Sequence, residues 1–124
     1  MSKKQKKIEK RGQKAAERYL ELQGYKILDR NWECPAGEAD IVAKDGDGSL
    51  VFVDVKVRTS LERGFPREKV EPEDRSRCEK VAAYYMTGCR DFDYPIRFDI
   101  VALLVIGEDR ALIKHHVNAF GACC

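Results

Sequence analysis

One stretch limits the fold more than any other: Leu50–Arg58, LVFVDVKVR. Val51, Val53, Val55 and Val57 recur at every second position, the period of a β-strand. Valine suits a pleated, half-buried surface. The opposite face carries Phe52, Asp54, Lys56 and Arg58. A chain with this segment must build a sheet with one apolar face, and something must explain an acid and a base on the other.

The preceding residues supply a partner strand. Glu38 to Lys44 reads as extended, and Asp45, Gly46, Asp47 and Gly48 form a tight connection. If the hairpin turns about Asp47, paired positions have numbers summing to 94. Asp40 then falls opposite Asp54, Glu38 opposite Lys56, and Val42 opposite Phe52. Glu38, Asp40 and Val42 share one face, while Ala39 and Ile41 take the other. Opposed like charges cost a sheet from a few tenths to about 1 kcal/mol, and partial burial increases the cost. A divalent cation is the best means of offsetting it, because hard carboxylate oxygens suit Mg²⁺ or Mn²⁺. Two carboxylates holding such an ion, with Lys56 beside them, can polarise a phosphodiester and stabilise the negative charge that develops. The triplet Asp54-Val55-Lys56 alone also fits a solvated intrastrand pair. The matched Gly37-Glu38-Ala39-Asp40 favours the site, and one residue of slip would scatter it.

The rest of the chain arranges itself around this hairpin. A helix runs from about Arg11 to Gln23, with Ala15, Ala16, Tyr19, Leu20 and Leu22 as its apolar stripe and Gly24 as its stop. Strands follow over Tyr25 to Trp32, Glu38 to Lys44 and Leu50 to Arg58, with a turn at Pro35 and Gly37. A loop with Gly64 and Pro66 leads to a helix from Pro72 to about Thr87, with Val81, Ala82, Tyr85 and Met86 as its contacts. Strands over Ile96 to Ile106 and Ala111 to Val117 complete the order αβββαββ. The first of these is nearly all apolar after Asp99, as for a strand buried on both faces. The fold class is α/β: a mixed β-sheet flanked by helices.

With 124 residues, one domain is expected: residues 11–124, preceded by a flexible basic arm at residues 1–10. Net charge is only +2, so overall charge announces no polyanion partner, but its distribution does. Lys3, Lys4, Lys6, Lys7, Lys10 and Arg11 crowd the arm, and with Arg58 they are the candidate nucleic-acid contacts. A second basic stretch, Arg58, Arg63, Arg67, Lys69, Arg75, Arg77 and Lys80, is diluted by six acids and fits a solvated mixed-charge face equally well. The five cysteines form no CxxC, which excludes the usual thiolate metal spacing and suits reduced thiols in the cytoplasm. No apolar run is long enough to span a membrane, and no apolar segment follows the basic N-terminus as a signal peptide requires.

Four segments, "GYKILDRNW", "GEADIVA", "LVFVDVKVR" and "RFDIVAL", resemble the YraN-like family of uncharacterised bacterial proteins, from about Gly12 to Val105. That family is similar to the restriction-endonuclease-like, or PD-(D/E)XK, nucleases, in particular the archaeal Holliday junction resolvases. The resemblance implies a restriction-endonuclease-like fold, catalytic Asp40, Asp54 and Lys56, metal ligands Asp40 and Asp54, and a Mg²⁺ or Mn²⁺ cofactor. Glu38 and Gln13 are accessory candidates. The chain departs from the family pattern at three places. Asp54 stands where Glu is usual, Gln13 where a helix Glu is usual, and Asp74 where a helix lysine is usual.

Other residues carry weaker signals. Glu17 lies nearly opposite the apolar positions Ala15, Tyr19 and Leu22 and is expected in solvent. Asp45-Gly46-Asp47-Gly48 lacks the remaining ligands of a calcium loop and reads as a turn. His115 and His116 point to opposite faces of a strand, which argues against a shared metal. Arg97 and Asp99 share a strand face as an ion pair near the site. Trp32 belongs to the core or its rim, with base stacking the lesser reading. The expected function is a metal-dependent DNA endonuclease acting on branched or damaged structures. The alternatives are a nucleic-acid-binding module with impaired catalysis, and an adaptor for a protein partner. A homodimer is expected only by analogy with the resolvases.

Overall fold

The computed structural model describes residues 3–59, 72–88 and 95–119. The Gly64–Pro66 loop, Arg63, Arg67, Lys69, Cys89, Cys123 and Cys124 lie outside them. Helix α1 spans Lys3–Leu22, followed by β1 (Lys26–Cys34), β2 (Gly37–Lys44) and β3 (Leu50–Arg58). Helix α2 (Pro72–Thr87) leads to β4 (Ile96–Gly107) and β5 (Arg110–His116). The element order is the expected one, and β3 has the expected limits.

The five strands form one mixed sheet in the order β1-β2-β3-β4-β5. All neighbours are antiparallel except β3 and β4, which run parallel. Parallel neighbours need a crossover, and α2 lies within it. The two helices cover opposite faces. Ala16 and Leu20 of α1 pack on Ile41, Ala43, Val51, Val53, Val101 and Leu103. Val81, Ala82 and Met86 of α2 pack on Val42, Leu50, Phe52 and Phe98. β4 therefore has both faces covered, and Phe98 to Leu104 are all buried. Trp32 sits at the rim, edge-on to Tyr85 with ring centroids 5.0 Å apart. Among the described residues no helix is long and apolar enough to cross a membrane.

Helix α1 begins eight residues before the expected start. The lysine arm has no glycine or proline before Gly12, and Lys and Gln are good helix formers, so the helix needs no apolar stripe to extend backwards. Gly24 ends it as expected, with a φ of 95°. The Tyr25 N–H donates to the Leu20 carbonyl and the Gly24 N–H to the Glu21 carbonyl, a Schellman closure. Leu22, expected in the stripe, is 76% exposed. It lies about 200° around the helix from Leu20.

Gly12 is where α1 crosses β3. A Cβ built there would stand 2.5 Å from Cγ2 of Val57. Gly12→Ala gains about 1 kcal/mol of helix propensity but overpacks the crossing at a cost of about 1–3 kcal/mol. A net loss of about 1 kcal/mol is expected in thermal denaturation, and Val57→Ala in the same chain should reverse it. A Gly12→Ala protein more stable than wild type would show that helix and strand separate without cost.

Candidate functional site

The β2–β3 hairpin has the expected register over four pairs: Ile41–Val53, Val42–Phe52, Ala43–Val51 and Lys44–Leu50. Its turn consumes the carboxylates of the Asp-Gly-Asp-Gly run. Asp47 accepts from the Ser49 N–H at 2.8 Å, and Asp45 accepts from the Gly46 N–H and from Arg97 Nη1.

Beyond Ile41 the ladder ends. Instead of the next pairing, Oδ2 of Asp40 accepts the main-chain N–H of Val55 at 2.9 Å. On the other flank, β1 carries Asn31 between the pairs Arg30–Ile41 and Trp32–Ala39, with a φ of 48°. The alternation of faces breaks at this level. Ile41 packs with α1, but Ala39, expected on the same face, packs with α2. The expected pairing of Glu38 with Lys56 is likewise absent from the ladder. A side-chain carboxylate has taken over a donor that a main-chain carbonyl would otherwise hold, and the strands part around it.

At this break the structure brings Asp40 and Asp54 together. The Asp40 carboxylate stands beside Asp54, where its charge and its capacity to accept a hydrogen bond favour the protonated form of Asp54. Asp54 is open to solvent on one side. Even so, crowding by protein, then the bond to Asp40 and its charge, push its carboxyl up to about 7, against the opposing charges of Lys56 and Arg77. Both acids line a cavity of about 270 Å³ between the sheet and α2, with Phe52 and Phe98 among the apolar residues around it. Lys56 and Glu38 line it too. Glu38 is exposed, and partial burial together with Asp40 and Glu33 raises its carboxyl above the ordinary value.

The other candidates fall around this cavity or away from it. Gln13 reaches the same strand break but donates Nε2 to the main-chain carbonyl of Asp40, at 3.1 Å, not to the carboxylate. Arg58 ends β3 two residues beyond Lys56 and is half-buried. Lys3, Lys6, Lys7 and Lys10 are exposed on the first turns of α1, and Lys4 belongs to the same turns. Arg11 is tied to the β4–β5 turn, where Nη2 donates to the Glu108 carbonyl.

One expectation needs correction. Glu17 is buried and paired with Arg30 of β1, because α1 rests on the sheet along Gly12, Ala16 and Leu20 and so carries Glu17 against the β1 edge. Arg97 and Asp99 form the expected ion pair, and Asp99 lines the same cavity as Asp54. Asp74, singled out only as a departure from the family pattern, lines the cavity from α2 together with Arg77 and Cys78, which the sequence reading did not point to. A signal was available: with Val81 they stand at i, i+3, i+4 and i+7, one stripe of a helix whose inner residues face the sheet.

Two crowded carboxylates, one of them raised by the other, fit a hard divalent cation, which would relieve their repulsion. Among the described residues no set of three His, Cys, Asp or Glu converges to enclose an ion. The donor set is an open one, suited to Mg²⁺ or Mn²⁺ that keeps water and takes further oxygens from a phosphate. Asp40 and Asp54 would hold it.

Residues 12–103 match the model of the uncharacterised protein family UPF0102. A UPF0102 protein of Lachnoclostridium phytofermentans is 44% identical over 108 residues, which cover 86% of this chain and 89% of the relative. One of Geobacter sulfurreducens is 41% identical over 110 residues, with 89% and 85% covered. One of Syntrophus aciditrophicus is 44% identical over 94 residues, with 76% and 73% covered.

Proposed function

The chain belongs to the UPF0102 family, and from that premise and the chemistry of the site we propose that it is a divalent-metal-dependent phosphodiesterase acting on DNA. The observation that carries this reading is the meeting of Asp40 and Asp54 at the parting of β2 and β3, with Lys56 lining the same cavity. A carboxylate pair is costly to a sheet unless a cation or a proton relieves it. The mixed sheet with a helix on each face, Asp40, and the Asp54-Val55-Lys56 triplet also support the resemblance to the restriction-endonuclease-like nucleases.

In this reading Asp40, fixed by the Val55 N–H, would be one ligand of the ion. Asp54 completes the pair. Mg²⁺ or Mn²⁺, when bound, would supply Lewis acidity and make a water easier to deprotonate to the hydroxide that attacks phosphorus. Lys56 offsets the negative charge that grows on the phosphate oxygens. The lysines of α1 add contacts to the DNA backbone that carry no sequence information.

A second reading, a nucleic-acid-binding module that no longer cuts, is favoured by Gln13. Where the resembled family has a helix carboxylate, this chain has an amide engaged with the main chain of Asp40. The two readings separate in one experiment: titration with Mn²⁺ and Mg²⁺, followed by cleavage assays on single strands, duplexes, nicked duplexes and four-way junctions. The nuclease cuts at least one of these, first with Mn²⁺, which is less strict in its ligand geometry. Lys56→Ala should then lower the cleavage rate by about 10²–10³-fold, with little change in DNA binding or melting temperature. Metal binding without cleavage of any substrate would leave the second reading.

A further inference from the structure

The cavity has a second cation besides Lys56. Arg77 lines it from α2, and its charge reaches Asp54. The stem of Arg77 lies over Gly37 at the start of β2. A Cβ on Gly37 would stand 3.2 Å from Cδ of Arg77 and 3.4 Å from its Cγ. Gly37 also has a φ of 148°, a conformation that side chains rarely adopt. The strand thus leaves room for the arginine where any other residue would crowd it. Its guanidinium is held by one ion pair, Nη2 to Oδ1 of Asp74 at 3.1 Å, with both side chains largely exposed. Such a pair is worth little and gives way easily. Among the described residues Asp74 is the one hydrogen-bond partner of Arg77, which has five N–H donors to offer.

The charges of the cavity give this arginine a task. Glu38, Asp40, Asp54 and Asp74 face two bases, Lys56 and Arg77, while Asp99, the fifth acid of the cavity, is already paired with Arg97. A divalent cation balances that excess but adds nothing for the charge of an entering phosphodiester. A planar guanidinium suits two phosphate oxygens at once, as an ammonium does not. We propose that Arg77 is the phosphate-binding residue of the cavity: it takes the non-bridging oxygens of one phosphodiester of a nucleic-acid strand, and Asp74 is the counter-ion that holds it when no strand is bound. This rests on the phosphodiesterase reading for the identity of the anion, but not on catalysis.

The test uses the full chain with Ca²⁺ and the dinucleotide thymidylyl-thymidine, followed by NMR titration, with Ca²⁺ affinity measured separately by calorimetry. Arg77→Gln should weaken dinucleotide binding by about tenfold. Asp74→Asn should tighten it by about threefold, because it removes the competitor. Ca²⁺ affinity should be unchanged or higher in Arg77→Gln, since a positive charge has left the neighbourhood of the carboxylates. A merely damaged fold would lose both ligands together. Equal dinucleotide affinity in wild type and both variants would overturn the assignment of Arg77, as would a wild type that binds Ca²⁺ but no dinucleotide. A protein that holds the dinucleotide through Arg77 yet cuts no DNA would sustain this inference while the catalytic reading failed.

Discussion

Asp99→Ala is expected to destabilise the protein by about 3–5 kcal/mol, measured by urea denaturation at pH 7. Asp99 has a side chain with 0% exposure, and its two oxygens are fully committed. Oδ1 accepts from Arg97 Nε at 2.9 Å and from the Asn118 N–H at 2.9 Å. Oδ2 accepts from Arg97 Nη2 at 3.1 Å and meets Nε2 of His115 at 2.8 Å. Arg97 in turn reaches Asp45 in the β2–β3 turn and the Tyr25 hydroxyl just after α1. One carboxylate therefore ties together, through Arg97, the β2–β3 turn, the start of β4 and the end of β5. Its removal leaves Arg97 in a site where its side chain is 15% exposed, without its main counter-charge. That is the costly half of breaking a buried pair, and it takes a large part of a total stability of about 5–15 kcal/mol.

The acid dependence follows the same balance. Burial alone would raise the Asp99 carboxyl, but the bonds from His115, Arg97 and Asn118 outweigh it and hold the group below the ordinary carboxylate range. A depressed folded value means that the stabilisation is complete above the unfolded carboxylate range and is lost as pH falls through the folded value. Wild type should therefore lose stability on acidification more steeply than Asp99→Ala. A variant within about 1 kcal/mol of wild type at pH 7 would show that the network is ornament on a fold held by apolar packing.

The hairpin shows what a linear reading can and cannot see. Period-two valines and a short Gly-rich turn determine register wherever one face must be buried, and four pairs follow that register. The rule assumes that the ladder continues. It ends at Asp40 because a carboxylate competes for the Val55 N–H and because Asn31 adopts a left-handed backbone beside it. Neither event leaves a trace in hydrophobic periodicity. The two acids still meet, through the parting of the strands and not through a regular cross-strand pair. The errors over Leu22 and Glu17 have one origin. Leu22 was counted into the stripe of α1, which turned the helix axis and placed Glu17 in solvent. The close crossing of Gly12 on Val57 rotates the stripe back and brings Glu17 to Arg30. The role of Gly12 depends on what lies across from it, so spacing within the helix cannot report it. Arg77 was hidden for a different reason: in a run of alternating charges, a residue over a cavity and one in solvent look alike.

Asp54→Asn should have opposite effects with and without metal. In the metal-free protein it is expected to stabilise the fold by about 1 kcal/mol at pH 8, a value set by the exposed side of Asp54 and the screening it permits. At pH 5 the gain should be much smaller. The Asp54 carboxyl is raised from 3.8 to about 7, so across that interval the folded protein keeps a proton that the unfolded chain has released. Wild type therefore loses stability as pH rises through the interval, with the full penalty above pH 7. The asparagine has no such proton and no such slope. Added Mg²⁺ or Mn²⁺ reverses the order. Metal at a hundred times its dissociation constant adds about 2.7 kcal/mol to a protein that binds it only when folded. Wild type should gain this, more strongly at pH 8 than at pH 6, because the ion must displace the proton that Asp54 keeps up to about pH 7. Asp54→Asn should gain nothing. If the site is a relic, wild type gains nothing either, and Gln13→Glu with Asp54→Glu should restore the metal response. Metal-free Asp54→Asn with unchanged or lower stability at pH 8 would mean that Asp40 does not crowd Asp54, and the case for a cation between them would fall with it.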